Sequence, residues 1–198
     1  MRIWYDTEFY ERGPAYPIQL ISIGMIREDG KELYAVNGEF PIDVFSRHAW
    51  LGENVAPHLP LINHGPREFV KGDGSRVFCN FWEWDEDAIE HDRHVWNRAI
   101  ICEQVRQFVL DADNPELWGW YSSYDHVVLA QLFGTMIDLP SGFPMWTNDV
   151  RQLSQQYGNP RLPAQKGVEH HALADARWTK EAWEYLTDPL TFRGAELQ

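Results

Sequence analysis

Three successive strand-like segments fill the first 37 residues, and they constrain the fold more than any other feature. Along residues 2–10, successive side chains would point to opposite faces of a strand, with residues 3, 5 and 7 on one face and residues 4, 6 and 8 on the other. Residues 18–27 are apolar and rich in β-branched side chains, and residues 32–37 again have a strand-like pattern. Asp29-Gly30 lies between the last two segments and is a strong signal for a β-hairpin turn. The sequence therefore predicts an antiparallel three-stranded meander at the start of the chain.

The remainder of the chain is mostly helical in its periodicity. Residues 43–59 are weakly helical, and the Gly and Pro residues of segment 60–85 predict a loop with no more than a short hairpin around residues 69–70 and 77–78. The later predicted elements are helix 94–111, strand 116–121, helix 125–134, helix 147–156 and helix 171–186. Strands followed by helices predict an α/β fold with a mixed central β-sheet flanked by helices.

Length and charge limit the class of function. The 198 residues suit a single domain, which we place at residues 1–188, followed by a loose tail at residues 189–198. The formal net charge of −13 argues against a module that clamps duplex nucleic acid, because such binding needs a basic stripe. An enzyme that grips a few nucleotides at one chain end is compatible with this charge, since bound metal ions supply positive charge locally.

The cysteines and the N-terminal residues bear on the cellular compartment. Cys79 and Cys102 form neither a CxxC motif nor a zinc-binding spacing, which favours a reducing compartment. The N-terminus has no long apolar run, so we expect neither a signal peptide nor a membrane span. The sequence therefore predicts a cytoplasmic protein without a membrane partner.

Asp6 and Glu8 form the first of three acidic motifs. They stand two residues apart on a predicted strand, so both carboxylates point to one face, roughly 7 Å apart along the strand. Burying both would be costly unless a cation compensates, and a divalent metal ion is the simplest compensation. A solvated strand end is the alternative, and the motif alone favours that alternative.

Asp125 belongs to the second motif and opens the predicted middle helix. Val128, Leu129 and Leu132 follow it at spacings of three, four and seven residues, so Asp125 lies on the inward face of that helix. The alternative is an aspartate that caps the helix N-terminus and needs no metal ion. Taken alone, this motif also favours the alternative.

Asp175 and His170 form the third motif, at the start of the last helix. Asp175 lies at the edge of the inward-facing stripe, among small side chains that leave room for an ion, and the alternative is an aspartate held by Arg177. His170 precedes the helix, and its imidazole can take a proton from an attacking water near neutral pH. His171 is the competing candidate for that role.

Four carboxylates and one imidazole are what a two-metal phosphodiester hydrolase needs. On these residues the chain resembles the DEDDh branch of the DEDD 3′-5′ exonuclease superfamily, which carries Asp-x-Glu, an aromatic-Asp pair and His-x4-Asp in this order. The resemblance implies a ribonuclease H-like fold, His170 as general base and two divalent ions, usually Mg²⁺ with Mn²⁺ as a substitute. It also implies four metal ligands that count as catalytic residues: Asp6, Glu8, Asp125 and Asp175.

Longer segments are similar to the RNase T-like group of actinobacterial RNase AS. They are residues 5–9 (YDTEF), 20–24 (LISIG), 34–36 (YAV), 124–127 (YDHV) and 171–177 (HALADAR). The similarity implies a homodimeric 3′-to-5′ exoribonuclease that acts on single-stranded RNA with adenylate-rich 3′ ends and releases nucleoside 5′-monophosphates. The chain departs from the group at Tyr121, near where an Asn is common, and in the length of segment 60–95, which predicts a family-variable insertion there.

Three side chains beside the acidic motifs are predicted substrate contacts: Thr7, Phe9 and Tyr124. The two aromatic rings offer faces on which a base can stack, and packing in the core is the alternative for each. Two rival functions stay open. One is a single-stranded DNA exonuclease of the same superfamily, and the other is a catalytically silent RNase H-like fold that serves as a binding or dimerisation module.

Overall fold

A six-stranded mixed β-sheet forms the centre of the molecule in a computed structural model that describes residues 1–70, 72–91 and 93–189. The strands in these ranges are β1 (Arg2–Tyr10), β2 (Gln19–Arg27), β3 (Glu32–Asn37), β4 (Leu61–Val70), β5 (Arg76–Trp84), β6 (Val95–Trp96), β7 (Glu116–Gly119) and β8 (Thr147–Asp149). The central sheet has the order β6-β3-β2-β1-β7-β8, and β4 pairs with β5 in a separate hairpin. From residue 190 onward, the predicted tail lies outside the described residues.

Helices cover both faces of the central sheet. They are α1 (Asp43–Arg47), α2 (Ala49–Asn54), α3 (Glu86–His91), α4 (Arg98–Leu110), α5 (Ser123–Gln131), α6 (Val150–Gln156) and α7 (Ala172–Thr187), with 3₁₀ turns at Ala56–His58 and Met136–Asp138. On one face, α4 and α5 pack through a buried cluster that includes Ile23 and Val105. On the other face, α6 and α7 pack through a cluster that includes Trp4 and Ala176.

The predicted fold class is confirmed. β1 pairs with β2 and β2 with β3 in antiparallel register, which is the predicted meander, and Gly30 adopts a positive φ of 86° in the turn that joins β2 to β3. The pairs β1–β7, β7–β8 and β3–β6 are parallel. This mixed α/β sheet with flanking helices is consistent with an RNase H-like fold.

Gly24 allows α7 to begin directly against the sheet. A Cβ atom at this position would lie 2.2 Å from the backbone nitrogen of Leu173 and 2.3 Å from its Cα. Gly24 is also the partner of Asp6 in the β1–β2 ladder, so the first turn of α7 lies beside the acidic part of β1. The missing side chain at residue 24 therefore places Asp175, which is in that first turn, near β1.

The loop predicted for residues 60–85 is wrong. β4 and β5 form an antiparallel hairpin of ten and nine residues, much longer than the short hairpin expected around residues 69–70 and 77–78. Gly65 and Pro66 lie where the register shifts, so a bulge accommodates them within the strand. Most of β4 is exposed, which explains why its sequence lacks apolar alternation. The family-variable insertion at 60–95 stays a prediction.

Capping side chains move several predicted boundaries. The helix predicted at 94–111 is preceded by β6 and begins at Arg98, because the Asn97 side chain accepts the Ile100 N–H at 2.9 Å. The helix predicted at 147–156 begins at Val150, because Asp149 is its N-cap and residues 147–149 form β8. The weak helical pattern at 43–59 becomes α1, α2 and a 3₁₀ turn.

The structure also bears on the membrane prediction and on the two cysteines. Within the described ranges, no helix combines the length and the apolar character needed to cross a bilayer. Cys79 and Cys102 are both free thiols.

Candidate functional site

Three elements bring the predicted acidic residues together. β1 carries Asp6 and Glu8, the first turn of α5 carries Asp125, and the first turn of α7 carries Asp175. Atoms of Glu8, His170 and Asp175 that can bind a metal ion all lie within 4.8 Å of one another. The charges of Asp125, Glu8 and Asp175 all act on Asp6. The five residues thus form one cluster, called the carboxylate site below.

Burial raises the pKa of all four carboxyl groups, and repulsion from neighbouring acids of the cluster raises the pKa of Asp6 and Glu8 further. Burial is the largest cause for each of them. The pKa of Glu8 rises to about 8, because the group is buried and faces the charges of Asp175 and Asp125. The pKa of Asp125 rises to about 6, although hydrogen bonds from Thr7 act in the opposite direction. So much negative charge in one place is unfavourable unless a cation joins it.

The acids of the carboxylate site have no salt-bridge partner among the described residues. The charges of His170 and His171 act on Asp175 and oppose the rise in its pKa. Arg177, the alternative partner for Asp175, instead donates from Nε and Nη2 to the two carboxylate oxygens of Glu32 at 2.7 and 2.6 Å. That alternative reading of Asp175 is therefore wrong.

Thr7 holds Asp125 in place. The Oδ1 atom of Asp125 accepts the backbone N–H of Thr7 at 3.0 Å and its hydroxyl at 2.5 Å, in a buried environment. The N-cap position of α5 belongs to Ser122, so the helix-cap alternative for Asp125 is wrong. Thr7, which the sequence suggests as a substrate contact, is buried and directs its hydroxyl to this carboxylate.

The sequence prediction missed Gln165. Its Nε2 atom donates to Oδ1 of Asp175 at 2.6 Å and to the carbonyl oxygen of Val168 at 3.1 Å. The first bond orients the carboxylate and opposes the rise in its pKa that burial causes. Gln165 lies in the irregular segment before α7, where no periodicity pointed to it.

His170 adopts a strained backbone conformation beside Trp50. Its φ of +63° lies in the left-handed region, which costs a residue with a side chain roughly 1–2 kcal/mol. The Trp50 ring on α2 meets the His170 ring edge-on, with centroids 4.9 Å apart, while 48% of Trp50 stays exposed. Trp50 was also missed, because the weak pattern of residues 43–59 marks no inward face.

His171 has a different position from His170. It is the N-cap residue of α7, its Nδ1 accepts the Ala174 N–H at 3.4 Å, and its ring stacks on Tyr34 with centroids 4.5 Å apart. Burial lowers the pKa of His171. His171 therefore faces protein rather than solvent, and His170 is the histidine in the carboxylate site.

Phe9 and Tyr124 lie together beside Asp125. Their rings are nearly parallel, with an interplanar angle of 6° and centroids 6.0 Å apart. Phe9 packs partly against the α4–α5 side of the core, whereas 50% of Tyr124 is exposed. The pair presents an accessible aromatic surface next to the carboxylate site.

The donor set of the carboxylate site fits a divalent cation. Carboxylate oxygens are the ligands that Mg²⁺ and Mn²⁺ prefer, and an imidazole nitrogen is a common further ligand or base beside them. The raised pKa values and the missing salt bridges point the same way, because a bound cation would relieve the repulsion.

Comparison with known proteins shows the family of the chain. Residues 80–187 match the family model of the 3′-5′ exoribonuclease Rv2179c-like domain. Two Mycobacterium tuberculosis proteins named as 3′-5′ exoribonucleases, Rv2179c of strain H37Rv and MT2234.1 of strain CDC 1551, are each 37% identical to the chain over 179 residues. The matched region covers 89% of this chain and 88% of each relative. The chain belongs to the Rv2179c-like 3′-5′ exoribonuclease family. The matched residues 80–187 include Asp125, His170 and Asp175 of the carboxylate site.

Proposed function

We propose that this protein is a metal-dependent 3′-to-5′ exoribonuclease that removes nucleoside 5′-monophosphates from single-stranded RNA. The observation that carries the proposal is the carboxylate site itself, in which four acids and His170 converge and no salt bridge among the described residues reaches the acids. Family membership supports the reaction class, since the two relatives are named for this activity.

Two divalent ions, Mg²⁺ or Mn²⁺, would be held by Asp6, Glu8, Asp125 and Asp175. When bound, such ions lower the pKa of water and offset the charge that develops on the transferred phosphoryl group. Thr7 and Gln165 hold two of these carboxylates in fixed orientations through short hydrogen bonds. The site is therefore organised before any ion binds, which reduces the reorganisation that binding requires.

His170 would accept the proton of the attacking water at a ring nitrogen. A neutral imidazole is needed for this step, so activity is expected to rise from acidic to mildly alkaline pH. The edge contact with Trp50 limits the orientations of the His170 ring. Full activity with a flat pH profile in His170→Ala would contradict this role.

Phe9 and Tyr124 would contact the terminal base. Stacking on an aromatic side chain contributes roughly 1–3 kcal/mol per base, and it tolerates different bases. The protein would prefer adenylate-rich 3′ ends, as the resemblance of its sequence to RNase AS implies. The predicted homodimer and cytoplasmic location stay predictions, and light scattering on the purified protein tests the first.

The direct experiment uses 5′-labelled homopolymers of RNA and DNA, each incubated with Mg²⁺ or with chelator. The proposal predicts a ladder that shortens by one nucleotide at a time, on RNA, only with the metal ion, and fastest on oligoadenylate. Shortening of DNA at the same rate would instead favour the single-stranded DNA exonuclease. No release of nucleotides from either polymer by folded protein would favour the silent binding module.

A further inference from the structure

Arg151 forms no salt bridge with an acid among the described residues. Arg12, Arg67, Arg93, Arg98 and Arg161 share this property, whereas Arg2, Arg27, Arg47, Arg76, Arg106 and Arg177 each pair with an acid. Arg151 instead donates from Nε to the Tyr121 hydroxyl at 3.3 Å and from Nη1 to Asn159 Oδ1 at 2.5 Å. Both acceptors are neutral, and they hold the guanidinium without neutralising it.

Asp149 connects Arg151 to the helix that carries Asp125. Asp149 Oδ1 accepts the Arg151 backbone N–H at 2.7 Å, and its Oδ2 accepts the Ser122 backbone N–H at 3.2 Å. Ser122 directly precedes α5, so the start of α6 is fixed against the start of α5. Arg151 thus lies on the Asp125 side of the carboxylate site.

Trp120 connects Arg151 to the helix that carries Asp175. The Arg151 guanidinium carbon lies 6.0 Å from the centre of the Trp120 ring. That ring packs edge-on against Trp178 of α7 at 5.0 Å, one turn beyond Asp175. Arg151 is therefore connected, through Asp149 and Trp120, to the two helices that supply two of the four carboxylates.

The backbone of one acceptor residue is strained. Tyr121 has a φ of +54°, in the left-handed region, which is uncommon for an aromatic residue and persists only where surrounding interactions hold it. Asn159 has a φ of +57° after the end of α6, a conformation that asparagine adopts readily. Both residues direct side-chain oxygens to the same guanidinium, so the fold positions Arg151.

We propose that Arg151 binds a phosphodiester group of the RNA strand on the 5′ side of the bond that is cut. This inference rests on the proposed exoribonuclease function. A guanidinium has five N–H donors, and two are used within the protein, which leaves donors for phosphate oxygens. In a chain with a net charge of −13, a guanidinium without an acidic partner offers a local contact for a phosphate that the chain as a whole repels.

The test compares wild type with Arg151→Gln on an oligoadenylate decamer and on a dinucleotide, across a range of KCl concentrations. For the decamer, the variant is expected to raise KM roughly 10-fold with kcat within about twofold, because a lost charged hydrogen bond weakens binding. The slope of log(kcat/KM) against log[KCl] should become shallower by about 0.7, the value for one phosphate contact on a single strand. The dinucleotide, which has no second phosphodiester, should show little change.

Three controls separate phosphate binding from a structural role. Arg161→Gln makes the same change in net charge at an exposed residue and should leave the salt slope unchanged. Tyr121→Phe removes one acceptor of Arg151 but keeps the cation, so its slope should equal that of wild type. Arg151→Lys should restore most of the slope, and a thermal melt shows whether each variant folds.

The outcomes separate this inference from the proposed function. An unchanged salt slope in Arg151→Gln, or an equal loss on decamer and dinucleotide, overturns the inference while wild-type activity stands. Wild type that degrades neither substrate overturns the proposed function instead. If Arg151→Gln does not fold, Arg151→Lys is compared with Tyr121→Phe instead. A salt slope in Arg151→Lys that is shallower than the wild-type slope by about 0.7 or more would contradict phosphate binding through charge.

Discussion

The acids of the carboxylate site differ sharply from the acids at the periphery. At the site, burial raises the pKa of each carboxyl, neighbouring acids add to the rise at Asp6 and Glu8, and no salt bridge in the described ranges reaches any of the four. At the periphery, hydrogen bonds from Arg177 lower the pKa of Glu32, and Arg106 with Gln107 lowers that of Glu103 to about 2. Carboxyl groups at the periphery therefore stabilise the fold, whereas those of the carboxylate site destabilise it as long as no cation is bound.

This difference indicates where function lies. Even the exposed carboxylate of Glu32 has a cationic partner, Arg177. Among the described residues, the buried acids of the carboxylate site have no such salt bridge, so the site gains stability if a cation from solution binds there. Replacing an acid of the carboxylate site should therefore raise stability and lower activity. Replacing an acid at the periphery should leave activity nearly unchanged, whatever it does to stability.

The largest expected effect comes from Glu8→Gln. Activity on RNA should fall at least roughly 1,000-fold, because a metal ligand and one negative charge are lost while shape is preserved. In chelator at pH 8.5 the melting temperature should rise, since repulsion with Asp175 and Asp125 is removed. Kinetic assays and thermal melts measure the two effects. A variant that is both inactive and less stable would break the comparison.

The next largest effect is expected from Gly24→Ala. The new Cβ would lie 2.2 Å from the Leu173 nitrogen, so the start of α7 must move away from β1 and carry Asp175 with it. We expect a loss of activity of roughly 100-fold, as for a misplacement of about 1 Å, and a destabilisation of about 1–3 kcal/mol. Denaturant unfolding and RNA assays measure both quantities. Gly72→Ala is the matched control, because a Cβ there meets nothing within 4 Å.

A smaller effect is expected when pH is varied with and without Mg²⁺. The folded-state pKa of Glu8, about 8, exceeds its ordinary value of 4.5, so the metal-free folded state binds more protons than the unfolded state between these values. Metal-free stability should therefore fall as pH rises through this window, and Asp125 adds to the fall up to about pH 6.

Bound Mg²⁺ should remove this fall, so the difference in melting temperature between Mg²⁺ and chelator should widen from pH 5 to pH 8.5. Differential scanning fluorimetry measures it, with Glu8→Gln as the control that should show a flatter metal-free curve. If the difference in melting temperature between Mg²⁺ and chelator shrinks as pH rises, the negative charge of the site acids is neutralised by groups of the protein itself.

The smallest effect is expected from Glu32→Gln. Glu32 accepts two hydrogen bonds from Arg177 in an ion pair near the surface, and such exposed pairs contribute little to the free energy of unfolding. Activity should stay within about twofold, and the melting temperature should change by no more than about 2 °C. Thermal melts and RNA assays measure both. A large loss of activity would mean that Arg177 serves the carboxylate site after all.

Local sequence patterns predicted the acids but not their neighbours. Alternation along β1 placed Asp6 and Glu8 on one face, and the spacing to Val128 and Leu129 placed Asp125 inward. Both predictions depend only on the periods of strands and helices. Gln165 lies in an irregular segment without any period, so its bond to Asp175 depends on tertiary structure alone.

The same limit applies to the fold. The meander was predictable because Asp29-Gly30 marks its turn and buried strands are apolar. Of the β4–β5 hairpin only the end around residues 69–70 and 77–78 was predicted, because the rest is largely exposed and contains a bulge at Gly65-Pro66. The role of Gly24 needed the position of α7, which no local pattern gives.

The most direct test of the central claim is the anomalous scattering of crystals grown with Mn²⁺. The account predicts anomalous peaks within about 2.3 Å of carboxylate oxygens of the cluster formed by Asp6, Glu8, Asp125 and Asp175. It also predicts that these peaks are lost in Glu8→Gln. Saturating Mn²⁺ without a peak at these four acids would contradict the claim that the carboxylate site exists to bind divalent cations.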